Sequence, residues 1–398
     1  MKVLLVHNRY RYWGGEDQVF QSEKELLRSS GHQVLEYTRH NGEIQENRIL
    51  GKAKLGMQTL WAHDTQQELR AILRREKPQV AHFHNTFPLI SPAAYYTCQE
   101  SGVPVVQSLH NARLACPAAT FYREGKVCQE CLGKAVPLPA IMHGCYHNSR
   151  LQTAVVAGMV LTHRMLKTWQ RQVDAYVAFT EFSRQRFIAA GLPPEKIFLK
   201  PHFLLSDPGV QQQQGEFALY VGRLAPEKGI STLLEACKLI DNRVPLRIVG
   251  GGPNREAFEG MKEQACLSNV YFDGWLPPGQ LHLVMKKAAF LIFPSEFHET
   301  FGLTIIEAFA CGVPVIVSRL GGMVEIVENG KTGLHFTPGN AMDLASKVEW
   351  AWTHKKEMGT MGRAARAEYE ARYTADRNYQ LLLEVYGLAR KARTPKAA

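Results

Sequence analysis

The sequence predicts an α/β protein made of two doubly wound domains, each with a parallel β-sheet, that face one another across a cleft. The length of 398 residues suits two domains of ordinary size. Strand-like runs alternate with helical segments in two successive blocks, which is typical of βα units. Polar side chains collect where these runs end, and parallel sheets bind ligands at the carboxyl ends of their strands.

The first block contains five strand-like runs. A polar loop with glycines follows the first of them, and a helix is predicted near residues 16–30 after this loop. Polar residues end the runs, as His84 and Asn85 do in one of them. The predicted strands of this block cover residues 2–8, 33–38, 79–85, 104–111 and 175–180.

The second block follows the stretch "QQQQG" at 211–215, and we predict a linker over residues 204–216. A final helix is predicted near 374–391 from the helical spacing of its apolar residues, and we expect it to return to the first domain. The predicted domains are therefore 1–203, 204–373 and a C-terminal segment, 374–398, that ends in a loose tail. The strand-like runs of the second block are "FALYVGRL", "PLRIVGGG", "VYFDGW", "AFLIFPS" and "VPVIVS".

The charge of the chain is distributed unevenly. The formal net charge is +10, and residues 1–203 carry nearly all of it. Such a basic half suits anionic lipid, a phosphorylated substrate or nucleic acid, although a merely solvated basic surface is the alternative. No apolar run approaches the roughly 18 residues that a membrane span needs, and the start of the chain resembles a strand more than a signal peptide. We therefore expect a cytoplasmic protein.

Two glutamates, Glu299 and Glu307, stand eight positions apart in "SEFHETFGLTIIEAFACGVPVIVS". The first precedes a predicted short helix and the second lies among its apolar residues. The free amides at the start of this helix, near Phe301, Gly302 and Leu303, attract an anion such as a pyrophosphate. A buried carboxylate can accept two hydrogen bonds from a ribose diol, which suits Glu307, while Glu299 would face the other end of such a ligand. An internal salt bridge of Glu307 and a solvated Glu299 are the alternatives.

Two cations leave the end of one strand in "VGRLAPEKG". Arg223 and Lys228 could together stabilise the negative charge that develops on a diphosphate leaving group without a metal ion. Ordinary surface cations in an exposed turn are the alternative. The sequence contains no Asp-x-Asp pair of the kind that holds a metal-bridged diphosphate, and none of its glycine pairs completes G-x-G-x-x-G. The pair Gly14 and Gly15 lets the backbone after the first strand approach a ligand closely.

Four segments in register resemble glycosyltransferase family 4. They are "GRLAPEKG", "GGGP", "HETFGLTIIEAFACGVPVIVS" and "GGMVEIVENGKTGLHF", and their order and spacing match that family across residues 218–340. In the more divergent first half, "GGEDQVF" and "SLHN" fit its looser pattern. The resemblance implies two Rossmann-like domains in the GT-B arrangement. It also implies transfer of a sugar from a nucleotide-diphospho-sugar to an acceptor with retention at the anomeric carbon, as in polysaccharide or glycolipid assembly.

The resemblance also implies roles for particular residues. Arg223 and Lys228 match the positions that hold the donor diphosphate, and Gly15, with Gly14 before it, matches the glycine loop beside the phosphate. Glu307 matches the ribose-binding acid, and Glu299 the acid that faces the donor sugar. His110 matches the histidine of the N-terminal, acceptor-binding domain near the reacting carbon, with a backbone-bonded histidine at a strand end as the alternative.

Two routes of transfer remain open at this point. Glu299 could attack the sugar covalently, or the departing phosphate could take the proton of the acceptor in a front-face attack. We favour the second route because no other acid is placed as a partner for a nucleophile. A nucleotide-sugar epimerase on the same scaffold and a zinc-dependent nucleic-acid-binding protein are the competing functions, although we expect no nucleic-acid partner.

Cysteines cluster in an expected insertion of the first domain, 112–148, at Cys116, Cys128, Cys131 and Cys145. In a cytosolic protein this spacing favours a structural zinc ion, with two disulfides or free thiols as the alternative. No cofactor is expected for catalysis itself.

Residues 150–173 have helical spacing with basic residues among the apolar ones. Packing against the core is one interpretation. A helix on an anionic membrane surface is the other, and a lipid-linked or glycan acceptor would place the protein at the inner face of the membrane.

Overall fold

The computed structural model describes residues 1–44, 49–210, 215–240 and 243–393. They form two compact units. The first comprises Met1–Phe121, Gln129–Pro201 and the chain from Asn378 onward, and the second comprises Tyr122–Cys128 and His202–Arg377. The expected loose tail at 394–398 and residues 211–214 of the expected linker lie outside the described residues.

The first half of the chain supplies one six-stranded parallel sheet and a small antiparallel hairpin. Its strands are β1 (Lys2–Arg9), β2 (Gln33–His40), β3 (Val80–Asn85), β4 (Val105–Ser108), β5 (Tyr122–Arg123), β6 (Lys126–Val127), β7 (Ala175–Ala178) and β8 (Ile197–Leu199). The sheet has the order β2–β1–β3–β4–β7–β8, and β5 pairs with β6 in the hairpin. Val3, Leu4, Leu5 and Val6 of β1 are fully buried, as expected for a strand covered on both faces.

Helices separate these strands along the chain. They are α1 (Gly15–Ser29), α2 (Ile49–Leu60), α3 (His63–Glu76), α4 (Ala93–Glu100), α5 (Leu138–His143), α6 (Arg150–Met165), α7 (Thr168–Arg171) and α8 (Glu181–Ala189). The apolar face of α1 carries Phe20 and Leu27, both buried, at helical spacing with a buried acid, Glu23.

The second unit contains a second six-stranded parallel sheet. Its strands are β9 (Phe217–Val221), β10 (Leu246–Val249), β11 (Val270–Gly274), β12 (Ala288–Phe293), β13 (Val315–Ser318) and β14 (Gly333–Phe336), in the order β11–β10–β9–β12–β13–β14. Its helices are α9 (Ile230–Leu239), α10 (Arg255–Gln264), α11 (Pro278–Met285), α12 (Leu303–Ala310), α13 (Met323–Ile326), α14 (Ala341–Thr353) and α15 (Lys355–Arg372). This order reverses beside β9, which creates a topological switch point between β9 and β12.

The last helix, α16 (Ala375–Arg393), packs within the first unit from Asn378 onward. Tyr386 Oη lies 2.9 Å from His82 Nδ1, and Tyr379 Oη lies 2.8 Å from His32 Nε2. The Asn378 side chain donates a hydrogen bond of 2.7 Å to the carbonyl oxygen of Pro201. These contacts join the end of the chain to the sheet of the first unit.

The predicted fold class, an α/β protein with two Rossmann-like parallel-sheet domains, is confirmed. The ten predicted strands are present with shifted ends, whereas the hairpin strands β5 and β6 and the edge strands β8 and β14 were not predicted. With three and four residues, these edge strands are too short for a clear periodic signal.

The expected insertion at 112–148 does not stay within one domain. Residues 122–128, which include the hairpin of β5 and β6, belong to the second unit. Tyr122, in this hairpin, lies near two acids of the same unit, and burial together with Glu296 and Glu227 raises the pKa of Tyr122 to about 12. Sequence spacing cannot indicate this placement.

The segment 150–173 is not one continuous amphipathic helix. Ser149 caps the amino end of α6, since its Oγ accepts a hydrogen bond of 3.3 Å from the Gln152 backbone, and a left-handed Lys167 separates α6 from α7. Its inner residues, such as Met159, are buried in the core of the first unit, so packing against the core is the correct interpretation for that face. Leu151, expected on the same face, is 77% exposed.

Candidate functional site

Two neighbouring strands of the second unit bring the predicted donor-site loops together. Leu291 of β12 pairs in parallel with Leu219 of β9, so the carboxyl ends of these strands are adjacent. The loop after β9 carries Arg223 and Lys228, and the loop after β12 carries Glu299. Lys228 and Glu299, 71 positions apart in sequence, therefore meet at one sheet edge, the topological switch point.

The ammonium of Lys228 forms an ion pair with Glu299. Lys228 Nζ lies 2.6 Å from Glu299 Oε1, and Ser295 Oγ donates a hydrogen bond of 2.8 Å to the same oxygen. The Lys228 side chain is 20% exposed and that of Glu299 11%. A lysine has three N–H donors, so Lys228 can hold Glu299 and still donate to an anion from the exposed side.

A glycine turn sets the direction of Lys228. Residues Pro226–Lys228 form a 3₁₀ turn, and Gly229 then has φ +72° before α9 begins. A Cβ atom on Gly229 would lie 1.9 Å from the carbonyl oxygen of Pro294, in the loop after β12. Only glycine permits both this conformation and the close approach of the two loops.

Substitution of Gly229 by alanine is expected to separate these loops, because both the left-handed backbone and the Pro294 carbonyl oppose a Cβ. We expect a loss of about 1–3 kcal/mol in unfolding free energy. Chemical denaturation measures the effect. Gly279→Ala is the control, because nothing lies within 4 Å of a Cβ there. Equal stability of the two variants would contradict the expectation.

Arg223 forms a second ion pair on the same loop. Its guanidinium contacts Glu227, and its carbonyl oxygen accepts a hydrogen bond of 3.1 Å from the Tyr220 hydroxyl. The Arg223 side chain is 57% exposed, so most of its N–H donors face outward. Because its side chain is exposed, Arg223 agrees in part with the alternative of an ordinary surface cation. Lys228 does not, since its side chain is largely buried against Glu299.

The helix α12 follows this loop with its amino end close in sequence to Glu299. Gly302 has φ +101°, a conformation that other residues rarely adopt, and Phe301 before it packs against His202 and Tyr373 with ring centroids 5.0 and 5.8 Å apart. Glu307 lies inside α12 and is 5% exposed. The helix start therefore presents backbone amides, and a largely buried carboxylate follows one turn later.

This edge of the second unit can bind an anion and hydroxyl groups together. Lys228, Arg223 and the first amides of α12 supply positive charge and N–H donors. Glu299 and Glu307 supply acceptors for hydroxyl groups. A phosphorylated sugar derivative offers both kinds of group.

The other predicted catalytic and phosphate-binding residues lie in the first unit. The N–H of Gly14 donates a hydrogen bond of 3.0 Å to Asp17 Oδ2 at the start of α1, which begins at Gly15. His110 follows β4, is 8% exposed, and has Nε2 3.0 Å from Nδ1 of His84. That histidine pair, which the sequence did not predict, lies at the carboxyl ends of β3 and β4.

The structure does not bring the four clustered cysteines into a closed metal site. Among the described residues, the only group of three or more potential metal ligands with ligand atoms within 4.8 Å of one another is Glu23, His82 and His84. A tetrahedral site needs its four sulfurs within about 4 Å of one another. A zinc ion held by Cys116, Cys128, Cys131 and Cys145 therefore stays a prediction.

The group of Glu23, His82 and His84 is held by a lysine and not arranged around an open metal position. Lys200 Nζ lies 2.5 Å from Glu23 Oε1, and both side chains are fully buried. Each ring nitrogen of His82 lies 2.9 Å from a hydroxyl, that of Tyr386 or Ser108. The position of Glu23 on the apolar face of α1 could have indicated a buried acid. The sequence does not indicate that its partner is Lys200, 177 residues away.

None of the helices in the described part of the chain is both long enough and apolar enough to span a membrane. This finding concerns membrane-spanning helices alone.

Residues 206–368 match the family model described as "Glycosyl transferases group 1". The chain is 24% identical over 386 residues to the sulfoquinovosyl transferase SQD2 of Arabidopsis thaliana, a match that covers 91% of this chain and 68% of that protein. It is 28% identical over 242 residues to the D-rhamnosyltransferase WbpZ of Pseudomonas aeruginosa, covering 58% of this chain and 63% of that protein. It is 30% identical to the uncharacterized glycosyltransferase MJ1178 of Methanocaldococcus jannaschii, of which the match spans only 47%.

Solved structures with low sequence identity share the fold. The crystal structure of Anabaena Alr3699/HepE with UDP and glucose superimposes with a TM-score of 0.68 at 18% identity, covering 96% of this chain and 99% of the other. The sucrose-phosphate synthase tll1590 of Thermosynechococcus elongatus gives a TM-score of 0.71 at 18% identity, covering 98% and 99%. At this identity the likeness concerns the fold alone.

Proposed function

We propose that this chain is a GT-B glycosyltransferase and that it transfers a sugar from a nucleotide-diphospho-sugar to an acceptor with retention of anomeric configuration, and the family match over residues 206–368 and the relatives named as transferases support this. One observation supports the proposal above the others. The Lys228–Glu299 ion pair lies at the switch point of the second sheet, four residues before α12. A cation, an acid and helix amides at one edge match the phosphate and sugar parts of a single donor.

Bond cleavage at the anomeric carbon leaves negative charge on the diphosphate and positive charge on the sugar. Lys228 and Arg223 stabilise the leaving diphosphate through charge-assisted hydrogen bonds, and the amides near Phe301, Gly302 and Leu303 add to this. Glu307 accepts hydrogen bonds from the ribose hydroxyls. Gly14, Gly15 and His110 act from the first domain, the glycines beside the phosphate and the histidine near the reacting carbon.

The geometry of Glu299 favours a positioning role over covalent attack. The Oε1 atom of this carboxylate interacts with both Lys228 Nζ and Ser295 Oγ, and a carboxylate held in an ion pair is a weaker nucleophile. In the front-face route, the acceptor oxygen forms the new bond to the anomeric carbon as the phosphate bond breaks. The departing phosphate takes the acceptor proton, so no protein base is required.

The acceptor is a glycan or a lipid-linked glycan in cell-surface polysaccharide or glycolipid assembly. The relatives named for sulfoquinovosyl and D-rhamnosyl transfer support sugar transfer as the reaction. The basic first half of the chain suits an anionic membrane surface, which agrees with a cytoplasmic protein at the inner face of the membrane.

A panel of UDP-, GDP- and dTDP-linked sugars tests the proposal. We expect calorimetric titration to detect binding of at least one of them, and UDP-glucose is the first probe because HepE was solved with UDP and glucose. Slow hydrolysis of that donor, followed by proton NMR, should release the sugar first as the anomer present in the donor. Absence of binding across the panel, or release of the opposite anomer, would overturn the proposal.

Substitution of Glu307 by alanine is expected to lower turnover at least about tenfold, or about 1.4 kcal/mol of barrier. The ribose would lose two hydrogen bonds, and α12 would keep its fold because alanine favours helices. Steady-state hydrolysis of the donor measures the effect. Glu325→Ala is the control, an acid of α13 that is exposed and outside the proposed site. Unchanged turnover in Glu307→Ala would remove this residue from the site.

Chelation of divalent metals is expected to leave turnover unchanged. The charge of the diphosphate is met by Lys228, Arg223 and helix amides, so no bridging cation is needed. Rates measured in millimolar EDTA and in added magnesium should agree within about twofold. A rate that falls with EDTA and returns with magnesium would contradict metal-independent transfer.

A further inference from the structure

A continuous path of buried polar side chains leads from the interior of the first unit to His110. Lys200, after β8, pairs with Glu23 of α1 at 2.5 Å. The other carboxylate oxygen of Glu23, Oε2, lies 3.4 Å from His84 Nε2. Nδ1 of His84 lies 3.0 Å from His110 Nε2. Three strands and one helix of the first unit therefore contribute to one line of contacts.

This path is shielded from water. Glu23 and Lys200 have no exposed surface, and His84 is 2% exposed. The Phe20 ring packs edge-on against His84 with centroids 5.2 Å apart, and the Phe179 ring lies 5.0 Å from that of His110. A buried ion pair is costly to desolvate and is weak as a source of stability, so its retention calls for another reason.

Burial and neighbouring charges together determine the protonation states of Glu23 and His84. Burial alone would raise the pKa of Glu23, but Lys200 and the two histidines hold it well below its ordinary value, so the carboxylate is ionised. Burial lowers the pKa of His84 despite the attraction of Glu23, so this imidazole is neutral. A neutral imidazole carries one N–H, and which nitrogen bears it depends on the neighbours.

The neighbours of His84 select a single tautomer. Glu23 Oε2 and His84 Nε2 face each other, and neither has another hydrogen-bond partner among the described residues. An ionised carboxylate can only accept, so the His84 proton belongs on Nε2. Nδ1 of His84 is then an acceptor, and His110 Nε2 must donate to it.

We propose that His84, oriented by the Glu23–Lys200 ion pair, is a positioning residue that keeps His110 in the Nε2-protonated tautomer. The inference rests on the proposed role of His110 in sugar transfer. In this tautomer Nδ1 of His110 is the basic, accepting nitrogen, and the ring is held by a hydrogen bond at its far side. A histidine near the reacting carbon thereby presents one fixed face to the sugar or the acceptor.

His84→Phe removes both contacts of this imidazole, and His82→Phe is the matched control. Both histidines are buried in β3 and both lie near Glu23, but the ring nitrogens of His82 bond to Tyr386 and Ser108 and not to His110. Turnover of UDP-glucose, or of the donor that the panel identifies, is expected to fall at least about tenfold in His84→Phe and at most about threefold in the control. Donor affinity by calorimetry should stay within about twofold in both.

A conservative variant and a spectroscopic signal separate positioning from a general structural role. Asparagine places an amide oxygen near the position of Nδ1, so His84→Asn should recover most of the turnover lost in His84→Phe. If the phenylalanine variant does not fold, His84→Gln replaces it, since its longer side chain leaves no acceptor near that position. With ¹⁵N-histidine labelling, Nε2 of His110 should carry the proton in the native protein, and both tautomers should be present in His84→Phe.

The outcomes distinguish failure of the positioning role of His84 from failure of the proposed function. Unchanged turnover in His84→Phe, or the same His110 nitrogen signals as in the native protein, overturns the positioning role. Equal losses in His84→Phe and His82→Phe also overturn it, because they indicate a structural effect. If the native protein binds no nucleotide sugar, the proposed function fails while the nitrogen signals still test the selection of the tautomer.

Discussion

Replacement of Lys228 by alanine is expected to lower donor turnover about 100-fold, or about 2.7 kcal/mol of barrier. The ammonium is the least exposed cation of the donor loop, and its distance of 2.6 Å to Glu299 Oε1 shows that it is firmly oriented. Its removal takes away a charge-assisted hydrogen bond to the leaving diphosphate and also leaves Glu299 without its cation. Steady-state rates with the best donor, together with its affinity by calorimetry, measure the loss.

Lys238→Ala is the matched control for this substitution. Lys238 pairs with Glu235 at 2.6 Å on α9, the helix that follows the donor loop, but its side chain is 41% exposed. We expect this variant to retain full turnover, because an exposed pair contributes little to stability or to charge at a distance. If Lys228→Ala retained turnover as well, the assigned donor site would be wrong.

Replacement of Glu23 by methionine is expected to reduce the free energy of unfolding by about 3–5 kcal/mol. The substitution keeps the volume of the side chain but leaves the ammonium of Lys200 buried without its anion. The Asn378 Oδ1 atom, 3.2 Å from Lys200 Nζ, accepts a hydrogen bond from it but cannot replace a charge. Urea denaturation followed by circular dichroism measures the shift.

The double variant Glu23→Met/Lys200→Met is the control, because it removes both charges. Its stability should be near that of the native protein, since replacing a whole buried pair by apolar side chains costs little. Because the native pKa of Glu23 is lowered, the pair stabilises the fold above the ordinary carboxyl value of about 4.3 and loses that contribution as the pH falls. A single variant as stable as the double variant would contradict the expectation.

The proximity of the residues of the proposed donor site could be predicted from the sequence because the signals are local. Arg223 and Lys228 lie within six residues after one strand, and Glu299 and Glu307 lie on either side of a helix start. Parallel strands end at the same edge of a sheet, so residues that follow them are expected to be neighbours. The structure adds their pairing, in which Lys228 meets Glu299 while Arg223 meets Glu227.

The cysteine cluster shows the limit of such reasoning. Spacing along the chain predicts a zinc site at Cys116, Cys128, Cys131 and Cys145, yet no three of these sulfurs lie within 4.8 Å of one another in the structure. Spacing reports which ligands are close in sequence, whereas a metal site depends on which are close in space. For Glu23, the sequence shows an acid among the apolar residues of α1, but it does not show which cation pairs with that acid.

Sequence alone determined the alternation of strands and helices, the parallel sheets and the loops that carry the donor chemistry, because each depends on periodicity or on a few consecutive residues. The tertiary structure alone decided that Lys200 would neutralise Glu23 and that His84 would reach His110. Those contacts join residues 177 and 26 positions apart, and a buried charge finds its partner only when the strands and helices that carry both have packed.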